Sequence, residues 1–181
     1  GNGQSELVRA LSGALRPRRG RIELAGTDIT HASSARRTSR GLGVVPEDRH
    51  AEAMFGDLSV AQNLYLGRLG DFRRFGLLDH KRMDDAARGV IETYRVRTPG
   101  PRTPMRALSG GNQQKVVLAR ELALDGLRAL IAAQPTRGLD IGAVDHVLQQ
   151  LRAAAASGVA VLVVSSELPE LLALCDRIVV C

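Results

Sequence analysis

The chain has 181 residues, 44% hydrophobic and 24% charged, with a net charge of +6 and an isoelectric point of about 10.3, which predicts one globular domain with a substantial core. Its longest apolar runs, Val159 to Val164 and Ile178 to Cys181, are too short to cross a bilayer, so any membrane role is expected to be peripheral. The basic balance raises nucleic acid as a partner, but the arginines fall in separate groups and form no stripe. With 3% aromatic residues and no tryptophan there is also no base-stacking platform, so no nucleic acid is expected.

Along the chain, Leu7, Val8, Leu11 and Leu15 give a one-faced helix over 4–15. Arg21 to Ala25 alternates as a short strand, Gly26-Thr27-Asp28 reads as a turn, and Leu42 to Val45 is a strand closed by Pro46. Ser59 is placed to cap a helix through Leu66, and Lys81 to Tyr94 reads as a longer amphipathic helix. Thr98-Pro99-Gly100-Pro101 and Thr103-Pro104 then form a stiff linker.

After the linker, Ser109-Gly110-Gly111-Asn112 opens a helix whose apolar positions run through Val116, Val117, Ala119, Leu122 and Ala123. A serine hydroxyl and two backbone amides without side chains, at the positive end of a helix, form a grip for a phosphate. Taken alone the Ser-Gly-Gly is equally a flexible turn; the downstream pattern decides for the phosphate. Ala129 to Ala133 is an apolar strand that stops at Gln134-Pro135 and turns through Gly138 to Asp140. A helix follows, then a second buried strand at Val159 to Val164 ending in Ser165-Ser166-Glu167, and a last strand at Arg177 to Cys181. The arginines read as solvated surface, part of it facing anionic headgroups or a membrane partner. His31, His50, His80 and His146 are dispersed and read as surface residues. Cys175 and Cys181 lack metal-ligand spacing and read as core packing.

Taken in this order, the motifs resemble the ATP-binding-cassette (ABC) transporter ATPases over essentially the whole chain. Leu108 to Asn112 is similar to the signature motif, Leu130 to Gln134 to the Walker B strand and the residue after it, and Gly138-Leu139-Asp140 to the D-loop. Gly1-Asn2-Gly3-Gln4-Ser5-Glu6 resembles the tail of a Walker A loop, and Glu47 stands at the Q-loop glutamine position. "PEDRH", "LSGGNQQKVVLARE", "AAQPTRGLDIGA" and "SSELPELL" together resemble the C-terminal half of tandem ATPases that energise bacterial import of nucleosides and simple sugars.

The resemblance implies an α/β fold, a P-loop NTPase core of ABC type at 1–53 and 125–181 with an inserted helical subdomain at 54–124. The chain is expected to be an N-terminally truncated internal fragment of a longer polypeptide, because a phosphate loop needs a preceding strand. The implied cofactors are ATP and magnesium. The implied partners are an N-terminal cassette of the same polypeptide, transmembrane permease subunits and, indirectly, a substrate-binding protein. The implied location is the cytoplasmic face of the bacterial inner membrane.

Residue by residue, the resemblance also implies a loss of catalytic groups. Gln4 stands at the Walker A lysine, Ala133 at the Walker B aspartate, Gln134 at the general-base glutamate and Ser166 at the switch histidine. Ser5 keeps a hydroxyl that can touch magnesium weakly. Loss of one charge-stabilising group typically costs a few kcal/mol, so four such changes leave little turnover. In the cassette architecture each ATP lies between the Walker A loop of one half and the signature of the other. Ser109, Gly110, Gly111 and Asn112 are therefore expected to bind ATP held by the partner, with Asp140 communicating across the interface. Glu47 would repel phosphates unless a metal or an arginine such as Arg49 intervenes. A soluble ABC protein acting on nucleic acid or ribosomes, or a decayed cassette, are the alternatives, and the substrate is not legible.

Overall fold

The computed structural model describes residues 3–180. Helix α1, Gln4–Ser12, ends at Gly13, which adopts φ +86° and donates its N–H to the Ala10 carbonyl. A side chain could not replace this glycine cheaply, because a Cβ there would stand 3.0 Å from the Arg37 Nε. Strands β1, Glu23–Leu24, and β2, Thr27–Asp28, then pair antiparallel. The sequence reading placed Thr27 and Asp28 in the turn itself. The reversal instead occurs at Ala25 and Gly26, both at positive φ, so the strand is shorter and the hairpin tighter than alternation suggested.

Helix α2, Ser34–Thr38, is capped by the Ser33 hydroxyl, which accepts from the Arg36 N–H. Strand β3, Leu42–Val45, matches its expected span and leads through Glu47 and Asp48 into the short helix α3, Arg49–Glu52. Helix α4, Val60–Leu64, carries the capping box between Ser59 and Gln62, satisfying two first-turn groups reciprocally. Between α4 and helix α5, His80–Thr93, lies a small hairpin of β4, Arg73–Arg74, and β5, Leu77–Leu78. The span 54–124 was read as mainly helical. The hairpin departs from that because Phe75 and Gly76 both take left-handed φ and turn the chain in two residues.

The proline-rich linker docks along the start of α4. Val60 N–H donates to the Thr103 carbonyl, Ala61 N–H to Pro101, and Met105 N–H to Leu58, each at 2.9 Å. The remaining elements are α6, Gly110–Leu122, β6, Ala129–Ala133, α7, Ile141–Ala156, β7, Ala160–Val164, and α8, Leu168–Leu174.

Strands β3, β6 and β7 form a parallel sheet in that order, with Val45 opposite Ala132 and Ala133 opposite Val164. Side chains alternate across it, as a period of two requires. Leu130 and Ala132 enter the larger core with Val60, Leu64, Met83, Met105, Val116, Val117 and Val147. Ile131 and Ala133 enter the smaller core with Val8, Ile29 and Leu42. Each fully buried valine, leucine or methionine contributes about 1.5–3 kcal/mol of apolar transfer, so the sheet is held from both faces.

Two expectations fail at the sheet's edge. β7 was read as a buried strand, yet Ala160 and Leu162 are exposed and the rest half-buried, because only β6 pairs with it among the described residues. The strand expected at 177–181 is not formed over 177–180, where no ladder partner lies among the described residues, and Cys181 lies outside them. Cys175 is a half-buried free thiol whose pKa burial pushes up, with Asp176 adding to it.

The reading of all arginines as solvated also fails at Arg37, which is 1% exposed. Its guanidinium donates to the carbonyls of Ala10 and Leu11 at 2.7 Å, Thr30 at 2.8 Å and Ala32 at 3.0 Å. It thereby closes the carbonyl end of α1 against α2 and the loop before it. No carboxylate pairs with it among the described residues, so its charge is held by oriented carbonyls alone.

Candidate nucleotide site

Helix α6 begins at Ser109 as N-cap, but the serine side chain caps nothing. Its hydroxyl instead accepts from the Asn112 Nδ2 at 3.0 Å, while the Asn112 Oδ1 accepts from the Arg97 N–H at 2.8 Å. The amides of Gly110, Gly111 and Asn112 have no acceptor among the described residues, the first bond of the helix being from Gln113 N–H to the Ser109 carbonyl. By contrast Ser33, Asp48, Ser59, Asp79 and Asp140 each cap their own helices with a side-chain oxygen. The α6 turn therefore offers three uncommitted donors at a helix's positive end, over a helix long enough to carry a dipole.

Around it the environment is cationic. The Lys115 Nζ donates to the Arg95 carbonyl at 3.1 Å, and burial, then Arg97, pushes its pKa down while Asp140 pulls it up. Asp140 caps α7 through the Ala143 N–H at 2.9 Å, and its Oδ2 lies 3.5 Å from the point a Cβ on Gly111 would take. Asp140 and Gly111 are thus adjacent within this chain.

The loop that resembles Walker A continues directly into α1. Gly1 and Asn2 lie outside the described residues. Gly3 is the N-cap at φ +82° and makes no side-chain bond, and Gln4, Ser5 and Glu6 form the first turn. The Ser5 hydroxyl donates to the Glu47 Oε2 at 3.4 Å, and the other Glu47 oxygen accepts from the Arg137 Nη1 at 2.7 Å. The cation beside Glu47 is therefore Arg137, 90 residues away in sequence, and not Arg49. Arg49 turns toward the start of α6 and toward the Arg137 carbonyl at 3.5 Å. The Asp48 carboxylate caps α3 through the His50 and Ala51 N–H groups, at 3.0 Å each, which makes Arg49 the first helical residue. Chiefly the bond from Ala51 holds the Asp48 carboxyl below its ordinary range.

At the strand ends, Gln134 takes φ +48° and donates its N–H to the Val164 carbonyl at 2.6 Å. Its side-chain oxygen accepts from the Ser166 N–H at 3.2 Å and from the Ser166 hydroxyl at 3.3 Å. Ala133, the last residue of β6, is buried and supplies no polar group. Behind this pair, the Glu170 carboxylate accepts from the Thr136 hydroxyl at 2.5 Å and the Ser165 hydroxyl at 3.3 Å. Gln114 reaches from α6 to donate to the Pro135 carbonyl at 2.9 Å, which ties the signature helix to the end of β6.

Among the described residues no hydrogen bond joins the turn at 109–112 to the turn at 3–6, so the structure brings the second to Glu47 and the first to Asp140 and Arg49. Sequence reasoning missed Arg137, Thr136 and Glu170. The signal available for Arg137 was that a carboxylate at the Q-loop position needs a cation, and Arg137 follows the β6 strand end. No three His, Cys, Asp or Glu residues cluster to hold a metal among the described residues.

A profile described as ABC transporter matches residues 1–136. The nucleoside import ATP-binding protein NupA of Lactococcus lactis is 41% identical over 99% of the chain, and the guanosine import ATP-binding protein NupO of Bacillus subtilis is 42% identical over the same share. The chain spans 36% of the length of each. Among solved structures, a nucleotide-free ATP-binding cassette of an ABC transporter superposes with a TM-score of 0.78 at 19% identity, covering 97% of this chain and 70% of that one. A dimeric cassette bound to ADP and Pi superposes with a TM-score of 0.75 at 21% identity, covering 93% and 72%.

Proposed function

Because the chain belongs to the ABC transporter ATPase family, we propose that it is a nucleotide-binding cassette of an importer for nucleosides or simple sugars, and that it completes the ATP site of a partner cassette. The observation that carries this reading is the contrast between its two ends. Both helix starts leave first-turn amides without acceptors among the described residues, but the turn at 109–112 has the Arg49 guanidinium laid against it, whereas the turn at 3–6 has no lysine, carries the Glu6 carboxylate and lies beside a Glu47 already paired with Arg137.

The donor set beside Ser5 does not fit magnesium and a triphosphate. Magnesium usually takes one or two carboxylates alongside the phosphate oxygens, and here Ala133 offers none while Glu47 is shared between Ser5 and Arg137. Glu6 adds a second carboxylate to the first turn of α1, where it competes with a phosphate for the same positive helix end. Gln134 is an amide that accepts from Ser166 and takes no proton at neutral pH. No hydrolytic step is assigned to this chain's own site.

The signature end does fit. Bound to the partner's loop, a triphosphate would meet the Ser109 hydroxyl and the amides of Gly110 and Gly111, with Asn112 holding the serine in place. Magnesium, brought with the partner's nucleotide, neutralises developing charge on the phosphates. In this assembly the chain sits on the cytoplasmic face of the plasma membrane beside permease subunits. Among the described residues no helix is long and apolar enough to cross a membrane.

Replacing Ser109 by arginine or glutamate fills the turn with a bulky or repulsive group. ATP-driven uptake of the cargo, measured in vesicles, is expected to fall about 100-fold or more. Uptake and hydrolysis at the unsubstituted rate would remove the reading.

A further inference from the structure

The side chain of Arg49 is the feature that the reading above leaves unused. Its Nε is buried without an acceptor among the described residues, and no carboxylate there pairs with its charge. Its Nη1 makes a long contact of 3.5 Å with the Arg137 carbonyl. Its Nη2 lies 3.0 Å from the point where a Cβ on Gly110 would stand, so the guanidinium is laid against the first residue of α6. Any side chain at 110 would displace it.

This arrangement is electrostatically unfavourable by itself. A guanidinium carrying a full positive charge is held against the positive end of a 13-residue helix whose first three amides have no acceptor among the described residues, and the single Asp140 carboxylate, 3.5 Å from the point a Cβ on Gly111 would take, offsets only part of that charge. Like charges gathered this way repel one another, and an anion arriving between them relieves that repulsion. A planar guanidinium with free N–H groups suits phosphate oxygens in particular. The Asp48 cap on α3 fixes the backbone of Arg49, while burial of its Nε and the contact with the Arg137 carbonyl place the guanidinium itself.

We propose that Arg49 is a phosphate-binding residue of the signature end, contacting the terminal phosphate of the ATP held by the partner cassette together with Ser109 and the α6 amides. The proposal rests on the reading of α6 as a donated phosphate grip and adds to it a full charge, supplied by the residue two after Glu47. The segment Glu47-Asp48-Arg49 then faces both ways. Glu47 reaches Ser5 of the chain's own loop, and Arg49 reaches the partner's nucleotide.

The test uses the complete polypeptide assembled with its partner cassette. ATP and ADP affinities are measured with magnesium by displacement of a fluorescent nucleotide, in the cold so that turnover is slow. Arg49→Ala is expected to weaken ATP binding about tenfold or more, as loss of a charge-assisted hydrogen bond does, and to leave ADP binding unchanged. Arg49→Lys restores part of the ATP affinity, because it keeps the charge without the fork. If Arg49→Ala leaves ATP affinity unchanged while Ser109→Arg weakens it, the role given to Arg49 is overturned and the signature reading stands. If neither variant moves ATP affinity, the reading beneath both falls. An equal loss of ATP and ADP binding in Arg49→Ala, with no rescue by lysine, would show a structural role and overturn the contact with the terminal phosphate.

Discussion

At the scale of single residues, polar groups without partners mark both the candidate site and places where burial carries a cost. Ser109 engages Asn112 and leaves its helix uncapped, as Gly3 and Glu167 also do, while five other cap residues bond their own first turns. His146 shows a different kind of unmet group. It was read as a surface residue, but it is half-buried on α7 and its Nε2 has no partner among the described residues. Burial, with Lys115 and Arg95 nearby, depresses its pKa below the ordinary 6.5, against a smaller upward pull from a bond with the Tyr94 backbone. The unfolded chain therefore binds the proton more readily than the folded one, and stability rises with pH across this window. The contribution is complete above about pH 6.5 and is lost as pH falls through the folded value. Thermal unfolding followed from pH 7.5 to 5 is expected to show a steeper loss of stability in the native chain than in His146→Gln. Parallel profiles would remove the histidine from the account.

At the scale of elements, the stitches between helices come from side chains that sequence periodicity does not mark. Arg37 links α1 and α2 through four carbonyls. Arg120 and Glu121, each 11% exposed at the side chain, link α6 to the Ala53 carbonyl and to the Val44 N–H of β3, so the signature helix and the segment before Glu47 are tied together. Removing Arg37 leaves buried carbonyls without donors, and Arg37→Ala is expected to lower stability to denaturant by about 3–5 kcal/mol. A loss below about 1 kcal/mol would mean water replaces the guanidinium.

The elements legible in advance were those with a strong local rule. β3 ended at Pro46, α4 began at the Ser59 capping box, and α5 and α6 followed their apolar period. The hairpins at 23–28 and 73–78 were missed because their turns use left-handed Ala25 and Phe75, positions where residue type gives no such signal. β7 looked buried because an edge strand and a central strand can share one valine-rich run. At the site, the motifs proposed the turns at 3–6 and 109–112, but which cation meets Glu47 depends on packing over 90 residues of separation, and the sequence pointed to the neighbour in the chain instead.

For the whole molecule, the account makes this cassette one half of a shared machine. The sheet at β3, β6 and β7 presents the resembling Walker and switch positions at its strand ends, while α6 and α7 carry the signature and D-loop turns beside each other. In the proposed reading the first set lacks the charges that cleave a triphosphate, and the second offers the donors that hold one. All hydrolysis by the assembled protein should then depend on the partner's catalytic groups. The most direct measurement is magnesium-dependent ATP hydrolysis by the complete assembly after the water-orienting carboxylate of the partner cassette is replaced by its amide. The account predicts that hydrolysis falls about 100-fold or more, leaving no activity attributable to this chain. A residual rate near half that of the native assembly would contradict it.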